Sequence, residues 1–218
     1  MDLADFIGKH DGETAFVIGS GRSLDFYDAS FFVDKLLIGI NYGWAVKLPR
    51  VDYMVTKYHE TAREWVGSNR VGTVVVTKGL RGHRNAEKIQ DDRMLIVDHN
   101  ENQVEAWSGE WPENGLVATH STITTGMHLA AVLGVRSIVM VGADCGLFDG
   151  DTNLPGYYGP EVDTSKQRSF FPSFDRQNNI AAGILRERYN VNVVSLLPFV
   201  TPNMEGHRFQ SHAGVLNA

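Results

Sequence analysis

Cysteine is almost missing from this chain of 218 residues: Cys145 stands alone. That excludes an intrachain disulfide and a zinc site built from several thiolates, and makes a reducing, cytoplasmic compartment the natural expectation. Long apolar runs are missing too. No stretch approaches the roughly 20 apolar residues of a membrane span, and the opening MDLADFIGKHDGE has no basic segment leading into an apolar one, so neither a span nor a leader is expected. Positive charge is in deficit, with 20 Lys and Arg against 26 Asp and Glu and a formal net charge of −6. Such a surface does not advertise a nucleic-acid partner. Several catalytic signatures are also absent. Arg22-Ser23 follows the first glycine turn where a phosphate loop needs Gly-Lys-Ser/Thr, and Leu24 stands where a GxGxxG dinucleotide fingerprint needs its third glycine. Neither a GxSxG elbow nor an HExxH pair occurs. A phosphate-loop enzyme and a Rossmann-type dehydrogenase are thereby disfavoured.

What remains is ordinary globular composition, 43% hydrophobic and 21% charged, with no internal repeat and no dividing linker. One domain over residues 1–218 is expected. Ala15–Ile18, Leu36–Ile40, Asp52–Thr56, Val71–Thr77, Met94–Val97, Ile138–Gly142 and Val191–Leu197 read as strands, and LLIGI is continuous enough for a strand covered on both faces. Helical segments are expected at Asp2–Lys9, at Tyr27–Lys35 with Asp28 as N-cap, and at Glu60–Val66, Met127–Leu133 and Asn178–Tyr189. This alternation predicts an α/β fold: a single Rossmann-like domain with a mostly parallel sheet of about seven strands and helices on both faces. Residues 147–172, rich in glycine, proline and aspartate, read as a lid-like insertion. Residues 98–120 lack periodicity and are either a functional loop or contain further strands.

Parallel sheets bind ligands beyond the carboxyl ends of their strands, near a reversal of strand order. That rule selects Gly19, Ser20, Gly21 and Arg22, then Asn41, Lys57 with Thr56, Thr124-Thr125-Gly126, and Asp144. Glycines in the Gly19-Ser20-Gly21 turn let a ligand approach backbone amides, and a helix starting just after the turn would favour a phosphate. The same stretch fits an ordinary strand-to-helix turn that binds nothing, and Asn41 and Thr125 also fit as turn caps. Cys145, at the end of an apolar strand, fits a small packing residue better than a nucleophile. A basic cluster at Arg81, His83, Arg84 and Lys88 fits a solvated face better than a phosphate contact.

Taken in order, Gly19-Ser-Gly-Arg-Ser-Leu24, Gly39-Ile-Asn41 and Thr124-Thr-Gly126 followed by Val141-Gly-Ala-Asp144 resemble the bacterial lipooligosaccharide sialyltransferases. They are similar also to a wider group that includes the MptE-like 6-hydroxymethylpterin pyrophosphokinases. The similarity spans roughly residues 15–198. It implies a nucleotide-binding α/β fold that uses a CMP-activated sugar without an obligatory metal, with Gly19, Gly21, Ser23, Asn41, Thr124, Thr125 and Gly126 holding the nucleotide. Tyr157 or Tyr158 would correspond to tyrosines that steady the leaving phosphate, and oligomers are a feature of the family. Two departures affect single contacts: Ser20 replaces an asparagine in the first turn, and Lys57 replaces another. A third affects the chemistry, because the family's catalytic histidine precedes the helix expected at Asn178, where this chain has Ser173-Phe174-Asp175.

The resulting expectation is a glycosyltransferase-like enzyme in which Asp144 orients substrate or acts as base, Asp175 is the substitute base, and Arg22 or Lys57 neutralises the departing phosphate. One alternative is ATP-dependent diphosphate transfer to a pterin-type alcohol, with Mg²⁺ held by Asp144 and Asp149 or Asp151. Another, supported by the missing histidine, is a nucleotide-binding or assembly protein without catalysis.

Overall fold

Seven short apolar segments pair into one sheet in the computed structural model, which describes residues 1–77, 91–100, 106–107, 115–146, 151–156 and 169–196. The strands are β1 (Thr14–Ile18), β2 (Leu36–Ile40), β3 (Val51–Thr56), β4 (Val71–Thr77), β5 (Met94–Val97), β8 (Ser137–Val141) and β9 (Asn192–Ser195). All six pairings are parallel, in the order β5-β4-β3-β2-β1-β8-β9. The chain therefore steps outward from β1 to β5 and then returns to lay β8 and β9 on the other side of β1. Two further strands, β6 (His99–Asn100) and β7 (Leu116–Val117), pair with each other in the stretch expected to be a loop or to hide strands.

Side chains alternate across this sheet, so each strand feeds two cores. Ala15, Val17, Ile38, Ile40, Tyr53, Val55, Leu95, Ile138 and Met140 enter one cluster. Ile18, Leu37, Met54, Val74, Val76, Met94 and Val141 enter the other. Each fully buried Val, Ile or Leu contributes about 1.5–3 kcal/mol relative to exposure, which is why runs such as VGTVVVT hold as strands.

The two faces are covered differently. On the first lie α2 (Thr122–Val132) and α3 (Phe171–Tyr189), which also pack on each other. On the second lie α1 (His59–Val66) and the short 3-10 turns Arg22–Phe26, Ala29–Phe32 and Gly43–Val46. The expected α/β class, parallel sheet and two-sided cover are borne out. Every residue of α2 from Ile123 to Val132 is buried, as befits a helix wedged between sheet and α3. Gly126 permits that approach: a Cβ there would sit 2.6 Å from Ile40 Cδ1 and 3.3 Å from Val17 Cγ1.

Several expected boundaries are corrected. Helix α2 starts at Thr122 rather than Met127, because burial of the threonine-rich first turn overrides its poor helix propensity. Helix α3 starts at Phe171 rather than Asn178, with Pro172 in its first turn where a missing N–H costs nothing, so Asp175 lies inside the helix. The expected helices at Asp2–Lys9 and Tyr27–Lys35 are single 3-10 turns, Leu3–Phe6 and Ala29–Phe32; Asp28 does cap the latter, accepting from Ser30 N at 2.8 Å. Among the described residues no helix is long and apolar enough to cross a membrane. The basic cluster at Arg81 to Lys88, Asp149, Tyr157, Tyr158 and most of the expected lid lie outside the described residues.

Candidate functional site

Strand order reverses between β1 and β8, and there the carboxyl ends of the strands open onto a cleft of about 390 Å³. Its floor is main chain. Gly19 N donates to Val141 O at 2.8 Å and Gly21 N to Gly142 O at 2.7 Å, lacing the turn after β1 to the end of β8. Gly142 has φ +65°, and a Cβ on Gly21 would lie 2.7 Å from both Gly142 O and Asp144 Cγ. Only glycine fits this crossing, so a ligand above it meets backbone.

Asp144 secures the floor from behind. The side chain is 2% exposed; Oδ2 accepts from Ser23 N at 2.7 Å and Oδ1 accepts from Ser23 Oγ. Charge-assisted bonds of this kind are roughly twice as strong as neutral ones. The turn is clamped from the front as well: Ser20 Oγ donates to Asn153 Oδ1 at 2.7 Å, and Leu154 N donates to Ser20 O at 2.9 Å. Arg22 is engaged beside the turn, 2.5 Å from Asp25 Oδ2 and 3.8 Å from Asp151 Oδ2.

Asn41 borders the cleft from the end of β2, in the left-handed region at φ +53° that asparagine tolerates. Its Oδ1 accepts from Thr56 Oγ1 at 3.0 Å and its carbonyl from Trp44 Nε1 at 3.0 Å. The amide is thereby oriented, with Nδ2 left as the donor next to the cleft.

Opposite the glycine floor stands the N-terminus of α2. Ser121 is its N-cap and yet makes no side-chain cap: Ser121 Oγ donates to Asn178 Oδ1 at 2.9 Å and Ser121 N donates to Gln177 Oε1 at 3.1 Å. The first-turn residues Thr122 and Ile123 line the cleft without a capping side chain over them. Here is the helix end that the sequence suggested after Gly21; Gly21 itself leads only into a five-residue 3-10 turn. Helix N-termini favour negative charge through their amides and dipole.

The remaining wall is aromatic, with His120, Tyr58, Phe170, Phe171 and Phe174. Cys145 lies between the walls at φ +50°, its Sγ accepting from Asn178 Nδ2 at 3.6 Å. Burial, then the Asp175 and Asp144 carboxylates, push its pKa up, so it stays a thiol.

Of the residues selected from sequence, the fold brings Gly19, Ser20, Gly21, Asn41 and Asp144 to the cleft. Ser23 lies behind the wall on Asp144. Lys57 is buried and donates from Nζ to the Thr119 carbonyl, tying the end of β3 to the segment before α2. Thr124 and Thr125 are almost wholly buried, with Oγ1 donating to Ser121 O at 2.7 Å and Val117 O at 2.9 Å. Gly126 faces the sheet. Asp175 borders a separate surface hollow with Arg176 and Asn179. Among the described residues no three His, Cys, Asp or Glu side chains gather to hold a metal ion.

No family model and no curated protein sequence matches the chain. Solved structures do. CstII, a sialyltransferase from Campylobacter jejuni in complex with cytidine-5'-monophosphate, superposes with a TM-score of 0.54 over 86% of this chain and 81% of its own, at 11% identity. Cst-I, an alpha-2,3-sialyltransferase from the same organism, gives 0.50 over 88% and 78%, at 12% identity. The MAf glycosyltransferase from Magnetospirillum magneticum AMB-1 gives 0.56 over 99% of this chain and 40% of its own, at 13% identity. The fold is sialyltransferase-like.

Against that fold, the position of His120 stands out. The sequence has no histidine just ahead of the helix that begins at Phe171, but His120 lines the cleft and its ring centroid lies 6.4 Å from that of Phe170, the N-cap of α3. An imidazole therefore lies beside the start of that helix. The one local sign was a polar His-Ser-Thr run leading into an apolar segment, which reads equally well as a helix start.

Proposed function

We propose that the chain is a glycosyltransferase that takes a nucleotide-activated sugar of the CMP-sugar type and passes the glycosyl group to an acceptor hydroxyl. The observation that carries this reading is the cleft at the β1–β8 reversal, floored by backbone at Gly19–Gly21 and faced by the uncapped first turn of α2. It lies in a fold shared with CstII, whose structure contains CMP. The donor phosphate rests between the glycine turn and α2, and Asn41 Nδ2 addresses base or ribose. As the acceptor oxygen bonds to the anomeric carbon, the bond from that carbon to phosphate oxygen breaks and CMP leaves with the electron pair. Fixed amide dipoles meet the growing negative charge without reorganising. His120 takes the acceptor proton. Asp144, with both oxygens held by Ser23, keeps the turn in shape instead of acting as base.

Thermal melting with CMP, CDP, UDP, GDP and ATP, each with EDTA or Mg²⁺, tests the reading. CMP at a hundredfold excess over its Kd should raise the Tm by about 5–10 °C in EDTA, and a CMP-sugar should then release CMP in an acceptor-dependent way. Stabilisation by ATP only with Mg²⁺ would transfer the site to diphosphate transfer, and CMP binding with no turnover of any CMP-sugar would favour a non-catalytic role. A response to none of the nucleotides would sink both enzymatic readings and leave an assembly role.

A further inference from the structure

The aromatic wall has a shape that donor binding does not require. Phe170 and Phe174 lie with planes 15° apart and centroids at 6.0 Å, and the His120 ring is tilted 30° from Phe170. Phe171 braces the pair edge-on, 62° to Phe174 at 6.5 Å. Two rings thus run nearly parallel along one side of the cleft, with the His120 ring tilted beside them. Phe170 is 45% exposed, so its ring is not committed to either core. It also occupies the N-cap of α3 and makes no capping bond there. Ser, Thr, Asp or Asn would stabilise that position, and an exposed phenylalanine forgoes both the cap and the gain of burial. Local rules are broken in this way where a side chain serves a ligand.

Position along the cleft says which ligand. The glycine floor sits at the seam of β1 and β8 and Asn41 follows β2, whereas the phenylalanines stand at the start of α3, whose body packs on β9, beyond β8. A donor whose phosphate lies over the seam and whose base reaches Asn41 leaves the aromatic side to the second substrate. We infer that the Phe170–Phe174 shelf is the acceptor subsite and that it takes a pyranose ring, stacked by its C–H face. The inference rests on the glycosyltransferase reading. An aromatic face carries negative quadrupole charge that attracts polarised C–H groups, and the hydroxyl rim of a stacked sugar extends past the ring edges to the His120 imidazole. One surface then provides affinity and presents a hydroxyl to its base.

Saturation-transfer NMR on the full chain tests this with methyl galactoside, methyl glucoside and methyl N-acetylglucosaminide as probes, while CMP melting shifts are recorded on the same samples. At least one pyranoside is expected to receive saturation on the protons of a single ring face. Phe170→Leu, which keeps apolar bulk at an exposed position and so leaves folding intact, should weaken its affinity at least about fivefold, and Phe170→Tyr should restore it. The CMP shift should be the same in all three proteins. A wild-type CMP shift with no pyranoside bound, or unchanged sugar affinity in Phe170→Leu, overturns the shelf alone. A CMP shift lost in Phe170→Leu overturns it by assigning the ring to the nucleobase. Absence of any CMP shift in the wild type overturns the glycosyltransferase reading and the acceptor role with it.

Discussion

The two ends of the sheet make an instructive pair. At the amino ends of the strands, polar groups answer one another. His10 bridges Glu13 Oε1 at 3.2 Å and the Tyr53 hydroxyl at 2.9 Å, Leu37 N donates to Asp52 Oδ2 at 2.8 Å, and Arg70 donates to the carbonyls of Ala45, Leu48 and Pro49. Burial, then the Asp52 and Glu13 charges, push Tyr53 up to about 12, so it remains a hydrogen-bonding phenol. A hollow of about 480 Å³ lies there too, larger than the cleft at the opposite end. Volume therefore does not mark the site. At the carboxyl ends Gly19 N and Gly21 N are answered by the end of β8 and form a closed floor, while the uncapped start of α2 and the exposed Phe170 ring face the space above it. Groups that already satisfy one another hold a fold; groups kept oriented and unanswered are what a ligand can use.

The strongest way to break this comparison is to alter the cleft chemistry while leaving the scaffold intact. His120→Asn should lower kcat about 10²- to 10⁴-fold in a CMP-release assay, with the CMP melting shift retained. Unchanged turnover would remove His120 as the base. Next in size is the floor itself. Gly21→Ala forces a Cβ to within 2.7 Å of Gly142 O and Asp144 Cγ, and should cost about 3 kcal/mol, read as a fall in Tm together with loss of the nucleotide response. A stable variant that still binds CMP would show that the turn is less tightly closed.

A third prediction concerns His128, which belongs to the answered class although it sits on α2 behind the cleft. It is wholly buried, its Nδ1 accepts from Val117 N at 2.9 Å, and desolvation holds its pKa down at about 3. The folded value lies below the unfolded one, so between pH 6.5 and about 3 the unfolded chain binds more protons and stability falls with pH. Denaturant titrations should show a loss of about 2 kcal/mol from this group between neutrality and pH 5, and His128→Gln should flatten that part of the curve. An equally steep curve in the variant would assign the acid sensitivity elsewhere. Smallest is Tyr53→Phe at the amino end, which removes the bond to His10 and should cost about 1 kcal/mol. The CMP shift should not change; if it does, the two ends are coupled.

Much of the scaffold was legible because its strands are short, apolar and β-branched. Leu36–Ile40, Val71–Thr77 and Met94–Val97 form over the residues expected of them. Helix starts were less so. Thr122 to Thr125 read as hydroxyls of a turn because β-branched residues are poor helix formers, and only packing beneath α3 shows them as a buried first turn. That shift moved Thr124, Thr125 and Gly126 one turn into the helix, behind the cleft wall. The segment around Pro172 read as an insertion because aromatics, proline and polar residues carry no helical period; in the fold it opens α3 and supplies the aromatic wall.

Local chemistry thus determined the class of fold, the glycine turn and the places where strands end, since hydrophobic period and glycine tolerance act between neighbours in the chain. The order of the strands, the site at their reversal and the meeting of His120 with Phe170, far apart in sequence, were decided only in three dimensions. Each depends on which helix packs on which face, and an alternating sequence is compatible with many such arrangements until side chains from distant segments compete for the same buried space.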